Sequence, residues 1–190
     1  MSILIVTMIL SACGEAPVLP SQKFKQKVLG LIAEIEQQSF PALQGISLSL
    51  QGIDSSSIFL ATDIEVPALL IGQRHYVLYL NPKLEQQNIG DTALKAILVH
   101  ELTHFNDYQK MDVFELGRFY YAILTDPMFE AEYERATDFQ TLKLGYAQGL
   151  AEFRQWLYPQ LSEAELKIKQ RNYYTPAEIK QWSEESAQLL

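Results

Sequence analysis

The segment His100-Glu101-Leu102-Thr103-His104 combines two imidazoles and a carboxylate at a spacing that suits metal chemistry. Residues four apart lie on one face of a helix, so His100 and His104 can bind a single ion. Glu101 is rotated by about 100° from His100, which places its carboxylate beside the ion. A general base for metal-activated water is needed there. The segment therefore predicts two metal ligands and a catalytic base.

A catalytic zinc site of this kind needs a third protein ligand. A third histidine six residues after the second, as in the metzincins, is excluded because that position is Lys110. His75 begins a predicted strand and is expected to be a partly exposed side chain. The remaining candidates are Glu130, Glu134 and Asp138, which are four residues apart and share one helix face. A divalent cation would remove their mutual repulsion; the alternative is a solvated acidic face.

The H-E-x-x-H segment at residues 100–104, followed by a helix with Glu134-x-x-x-Asp138, resembles the gluzincin-type zinc metallopeptidases. The nearest pattern is that of the family containing the prenyl-protein processing proteases and periplasmic chaperone-proteases. The resemblance implies one zinc ion with Glu134 as third ligand. It also implies that Asp138 accepts a hydrogen bond from a zinc-bound histidine, which orients that ring. Glu130 is the reserve candidate for the third ligand.

The expected activity is zinc-dependent hydrolysis of a peptide bond in a protein or peptide substrate, with Glu101 as general base. One alternative is a zinc-binding envelope lipoprotein without proteolytic activity, acting as a binding or chaperone module. The intact Glu101 argues against it, because a purely structural site needs no base. A second alternative is a structural envelope lipoprotein without metal.

The first residues predict export. Residues 1–10 are almost wholly apolar and lead into Leu10-Ser-Ala-Cys13, which resembles the lipobox of bacterial lipoproteins. The segment is too short for a membrane span. We expect a signal peptide at residues 1–12, a lipidated Cys13 with a tether to residue 20, and a peptidase domain at 21–190. The protein would then be anchored by lipid in the bacterial cell envelope, on the periplasmic or extracytoplasmic side. The alternative is a buried N-terminal strand with an unmodified Cys13.

Charge and cysteine content restrict the remaining classes. The 190-residue chain has a formal net charge of −8, which argues against nucleic acid as a partner and against a basic membrane-binding patch. Cys13 is the only cysteine, so no intrachain disulfide is expected despite export. Length and the ordinary apolar content predict one domain with a substantial core.

The predicted helix that carries the histidines begins at Asp91 or Thr92, either of which can cap it. Its apolar residues lie on one face. That face consists of Leu94, Leu98, Leu102 and Phe105. We therefore expect this helix to bury one side in the core and to turn its histidines towards the metal.

The predicted helix that carries the carboxylates begins with Asp126 as cap and Pro127 at its first position. It is expected to run to about Leu144 and to stop at Gly145. Residues 113–124 form a further helix that is apolar nearly all round, and we favour a place in the core over the lining of a substrate groove.

The rest of the chain completes an α+β fold. Hydrophobic periodicity and capping boxes predict helices at 21–38 and 149–158, short strands at 46–50, 58–60 and 75–80, and polar helices opening at Ser162 and Thr175. We expect a zincin-like architecture, in which a small N-terminal sheet packs on the H-E-x-x-H helix and a mostly helical half follows.

Overall fold

The computed structural model describes residues 20–65, 68–69 and 71–188. The predicted signal peptide, the lipidation site Cys13 and the tether up to residue 19 lie outside the described residues. Within the described part of the chain, no helix has the length and apolar character needed to cross a bilayer.

The described residues form an α+β fold that is mostly helical, with one small sheet, as the sequence predicts. The strands and α-helices are α1 (Gln22–Ser39), β1 (Ser47–Gly52), β2 (Leu60–Ile64), β3 (His75–Leu80), α2 (Lys83–Gln86), α3 (Asp91–Tyr108), α4 (Val113–Thr125), α5 (Pro127–Thr141), α6 (Ala147–Leu157), α7 (Glu163–Asn172) and α8 (Pro176–Ala187). The predicted strands at 46–50 and 75–80 match β1 and β3. The strand predicted at 58–60 begins at Leu60 instead and continues to Ile64.

Polar caps define several helix starts. Ser21 accepts a hydrogen bond from the Phe24 amide and begins α1. Asp126 caps α5, with Pro127 at its first position as predicted. The capping boxes at Ser162 and Thr175, which open α7 and α8, are also confirmed.

The sheet has the order β1-β3-β2, with β1 parallel and β2 antiparallel to the central β3. In register, Ser47 is paired with His75 and Leu60 with Leu80. Strand β2 is buried along its whole length and contacts α3. The sheet thus lies against the helix that carries the H-E-x-x-H segment.

Helix α3 occupies the centre of the domain and contacts α1, α5, α6 and β2. Its predicted apolar face is buried, but so is most of the rest of the helix, including both histidines and Glu101. The predicted cap is wrong: Gly90 precedes the helix without a side-chain cap, and Asp91 is its first residue. Asp91 instead forms an ion pair with Lys27 of α1.

Helices α3 and α6 approach closely at Gly149. A Cβ at this position would lie 2.3 Å from the Thr92 carbonyl oxygen and 2.8 Å from the Ala96 Cβ, so only glycine fits. Helix α5, which precedes α6 in the chain, ends at Thr141, three residues earlier than predicted, and a wider helical turn then leads to α6. Gly145 in that turn has φ of +91°, a conformation that favours glycine.

Helix α4 is only half in the core, which corrects the prediction of a buried apolar helix. Leu116, Phe119 and Ile123 are buried, whereas Phe114 and Tyr121 are 81% and 70% exposed. The capping box of Asp112 and Glu115 fixes the start of the helix, and one apolar face packs while the other meets solvent. Hydrophobicity alone therefore did not separate the two faces.

Candidate metal centre

The two imidazoles and a carboxylate converge on one point between α3 and α5. Nε2 of His100 lies 3.1 Å from Oε2 of Glu134 and 3.2 Å from Nε2 of His104. The third edge, from His104 Nε2 to Glu134 Oε2, measures 3.5 Å. All three side chains are buried. This buried group can hold a metal ion.

The size of this triangle suits a small tetrahedral ion. Bonds of about 2.0–2.1 Å at the tetrahedral angle separate neighbouring ligand atoms by about 3.3–3.4 Å. The observed edges of 3.1, 3.2 and 3.5 Å bracket that separation. Two imidazole nitrogens with one carboxylate oxygen are also a donor set that zinc accepts in catalytic sites, with one position left open. The residues therefore fit a zinc ion.

Asp138 orients the ring of His100. Nδ1 of His100 donates a hydrogen bond to Oδ1 of Asp138 over 2.8 Å, which leaves the Nε2 lone pair directed at the cluster. Asp138 is fully buried and also accepts a hydrogen bond from the Tyr174 amide. One helical turn separates Glu134 from Asp138 on α5, so the same face supplies the third potential ligand and the partner of His100.

Arg154 on α6 holds Asp138 in place. Its NH2 nitrogen lies 3.0 and 3.1 Å from the two carboxylate oxygens of Asp138, and the guanidinium is as buried as the histidines. The guanidinium also packs over the ring of Tyr173, 4.6 Å from its centroid. The close approach of α6 to α3 at Gly149 brings Arg154 to this position. Nothing in the sequence spacing singled out Arg154.

Tyr133 plays the corresponding part for the second histidine. Its hydroxyl lies 3.0 Å from Nδ1 of His104. A neutral ring whose Nε2 faces the cluster carries its proton on Nδ1 and donates it to that hydroxyl. Each imidazole therefore has a hydrogen-bond partner behind it, and Tyr133 was not predicted. Its place one residue before Glu134, on the helix that faces α3, is the sequence signal that was available.

Glu101 lies beside the cluster rather than within it. Its side chain is buried and lines the same cavity as His100, His104 and Glu134. The cavity has a volume of about 30 Å³, enough for one or two water molecules. Leu60, Ala61 and Thr62 of β2 form one of its walls.

The electrostatics of the metal-free group reflect burial and pairing. Burial raises the pKa of Glu101. Burial also opposes ionisation of Glu134, but the adjoining His104 and His100 outweigh it and hold its pKa well below the usual range. For His100, burial disfavours the charged ring, yet its hydrogen bonds with Asp138 and Glu134 raise the pKa to about 9. A metal ion must therefore displace a proton from this group at neutral pH.

Other predicted candidates lie elsewhere. Glu130 is buried on the same face of α5 but is outside the group of converging ligand atoms. His75 is half-buried and lies 2.5 Å from the hydroxyl of Ser47 on β1, in accord with its predicted ordinary role. Lys110 is exposed and paired with Asp107.

A last side chain that the sequence did not single out is Lys169 on α7. It is half-buried and lines the same cavity as the histidines, with its ammonium 4.8 Å from the centroid of the Tyr173 ring. Burial lowers its pKa, and the nearby carboxylates of Glu134 and Glu101 partly oppose that shift. Helix α7 thus contributes a cation to a site whose ligands come from α3 and α5.

Comparison with protein-family models, with curated proteins and with solved structures finds no match to this chain.

Proposed function

We propose that the protein is a zinc-dependent metallopeptidase with a zincin-like domain, related in mechanism to the gluzincins. The observation that carries the proposal is the convergence of His100, His104 and Glu134 around a cavity that Glu101 also lines. A bound zinc ion would polarise the substrate carbonyl and lower the pKa of a water molecule in this cavity. His100, His104 and Glu134 would hold the ion, because their ligand atoms have tetrahedral spacing.

Glu101 acts as the general base in this proposal. A carboxylate whose pKa is raised by burial is a better proton acceptor than an exposed one near neutral pH. It takes a proton from the attacking water and delivers it to the amine nitrogen as the peptide bond breaks. A purely structural metal site has no use for a buried carboxylate beside its ligands.

The supporting groups suit catalysis as well as binding. Asp138 and Tyr133 fix the two rings from behind, so both Nε2 atoms stay directed at the ion. Arg154 offsets the charge of Asp138 in the core. The site is thus preorganised by neighbours outside the group of three ligands, which is what transition-state stabilisation requires.

The arrangement of the fold adds weaker support. The small sheet lies against α3, and β2 borders the cavity through Leu60, Ala61 and Thr62. A strand beside the scissile bond offers backbone groups for an extended peptide. The acidic net charge and the buried location of the site fit a protein or peptide substrate rather than nucleic acid.

A zinc-binding module without proteolytic activity is the second candidate. The observation in its favour is the cavity volume of about 30 Å³, which has no room for a peptide. Peptide hydrolysis therefore requires the cavity to widen. A binding or chaperone module would not need that movement.

The direct test uses Glu101→Gln, with Glu132→Gln as a matched control on an exposed residue of α5. All proteins are brought to equal zinc content and incubated with β-casein, an unstructured protein substrate. We expect Glu101→Gln to lower the cleavage rate at least about 100-fold, while the control cleaves as the wild type does. Equal rates for all three proteins would contradict the assignment. Zinc binding without any cleavage by the wild type would favour the non-proteolytic module.

The proposed location is the bacterial cell envelope, with the domain held by a lipid on Cys13. The support is the apolar segment at residues 1–10 and the sequence Leu10-Ser-Ala-Cys13. Metabolic labelling with palmitate should modify the wild-type chain and leave Cys13→Ala unlabelled. Equal labelling of both would contradict the anchor.

A further inference from the structure

Two cations line the cavity that contains the metal ligands, and only one of them is neutralised by an ion pair. Arg154 is bound to Asp138 through its NH2 nitrogen. Lys169 has its ammonium over the ring of Tyr173, and among the described residues no carboxylate lies within ion-pair distance of it. The positive charge of Lys169 is therefore available to a group that enters the cavity.

The cavity is small, and the three proposed ligands and Lys169 all line it. The volume of about 30 Å³ holds one or two water-sized groups. A carbonyl oxygen bound next to His100 and His104 would share this cavity with the ammonium. The aromatic face of Tyr173 restrains the long side chain of Lys169, since a cation is attracted to the ring.

We propose that Lys169 donates a hydrogen bond to the substrate carbonyl oxygen and stabilises the oxyanion that forms there. This inference rests on the peptidase function proposed above. The water oxygen bonds to the carbonyl carbon, and the π electron pair moves to the carbonyl oxygen. Glu101 receives the water proton. When the C–N bond breaks, the electron pair returns to form the carbonyl and the proton passes from Glu101 to the amine.

The other polar side chains near the site are less suited to this part. Ser57, Thr62 and Tyr173 also line the cavity, but their hydroxyls carry no formal charge. The Tyr133 hydroxyl is the partner of His104. Among the described residues that line the cavity, only Lys169 has a positive charge that forms no ion pair. A charged donor in a site that excludes water stabilises developing negative charge strongly.

The first test measures binding rather than turnover. Methylphosphonate, a tetrahedral anion, is titrated calorimetrically into the zinc-loaded full-length chain. We expect Lys169→Met to weaken its binding about 10- to 100-fold and Lys169→Arg to restore part of the affinity. Lys167→Met is the matched control, since Lys167 is exposed on the same helix and pairs with Glu163. Zinc content and melting temperature are measured for each variant, so that misfolding is recognised.

A second test separates the oxyanion from a substrate carboxylate as the anion that Lys169 binds. One peptide is prepared with a free and with an amidated C-terminus. We expect Lys169→Met to lower kcat by about 100-fold on both, with little change in KM. A loss confined to KM and to the free C-terminus would overturn the proposal and show that Lys169 binds the terminal carboxylate.

The outcomes for the two proposals are distinguishable. Unchanged methylphosphonate affinity in a zinc-loaded, folded Lys169→Met protein overturns the role of Lys169 and leaves the peptidase proposal intact. Absence of zinc from the wild-type chain, or equal activity of Glu101→Gln, contradicts the peptidase proposal itself.

Discussion

The two walls of the cavity are built differently. Helix α3 buries 13 of its 18 residues, and α5 and α6 pack against it. Helix α7, which adds Lys169 to the lining of the cavity, buries only Asn172 among its ten residues. The two histidines therefore lie on a mostly buried helix, and we call α3 with α5 the ligand wall. Helix α7 forms the covering wall and has few buried residues. An element with so few buried contacts opens at low cost. In the proposed enzyme, this division would let the cavity widen for a substrate without loosening the ligands.

The largest expected effect is the loss of zinc affinity when the proposed third ligand on the ligand wall is removed. Glu134→Ala removes one of three ligand atoms, so zinc affinity should fall by at least about 1000-fold. Glu130→Ala, on the same face of the same helix, should leave zinc affinity unchanged, because Glu130 is outside the converging group. Competition with a chromophoric chelator measures both. The reverse result would show that Glu130, and not Glu134, is the third ligand.

A second prediction concerns the support behind the ligand wall. Arg154→Met leaves the buried carboxylate of Asp138 without its cation, so the free energy of unfolding should fall by about 3 kcal/mol. Zinc affinity should also fall about 10- to 100-fold, since Asp138 no longer fixes His100 firmly. Arg171→Met, on the covering helix, is the control. Denaturant unfolding measures the free energy of unfolding of both variants. An equal decrease in the two would show that both walls contribute equally to stability.

The pH dependence of stability should differ with and without metal. In the metal-free protein the pKa of His100 is about 9, above its unfolded value of about 6.5. The raised pKa adds stability that is fully present below pH 6.5 and is lost as pH rises towards 9, by about 3 kcal/mol in all. In the zinc-bound protein His100 is already unprotonated, so that loss should vanish.

Chemical unfolding between pH 6 and 9, with chelator or with zinc, checks this prediction. Parallel curves in the two conditions would mean that His100 is not a metal ligand. His75→Gln serves as control, because His75 lies outside the metal cluster and the substitution should leave the difference between the two curves intact.

The smallest expected effect is on the covering wall. The Ser56 hydroxyl donates a 2.7 Å hydrogen bond to Glu165 and so ties the loop before β2 to α7. Ser56→Ala should change global stability by less than about 1 kcal/mol. Amide hydrogen exchange should nevertheless become faster in α7 and remain unchanged in α3. Ser183→Ala on α8 removes a hydrogen bond within its own helix and is the matched control. Faster exchange in α3 would show that the two walls open together.

The sequence predicted the ligand wall better than the covering wall, for physical reasons. Helical periodicity places His100 and His104 on one face of α3, and Glu134 and Asp138 on one face of α5. Helix caps are also predictable, because a capping residue binds backbone groups only a few positions away. The structure brings these four side chains together. Contacts that depend on how helices cross cannot be read from such spacing.

The unpredicted residues all depend on tertiary packing. Arg154 reaches Asp138 because α6 packs against α3 at Gly149. Lys169 lines the cavity because of the way α7 packs against α5. The charged and polar sequence of α7 is typical of a surface helix and does not indicate this position. The exposure of Phe114 was missed for the same reason, since apolar content does not tell which face of α4 meets the core.

X-ray absorption at the zinc edge of the metal-loaded protein tests directly whether His100, His104 and Glu134 bind a zinc ion. We expect one tightly held zinc ion per chain with two imidazole nitrogens and a carboxylate oxygen at about 2.0–2.1 Å. Substitution Glu134→Ala should remove the ion or change its first coordination sphere. A protein that retains no zinc, or a spectrum without imidazole scattering, would contradict the proposed zinc site.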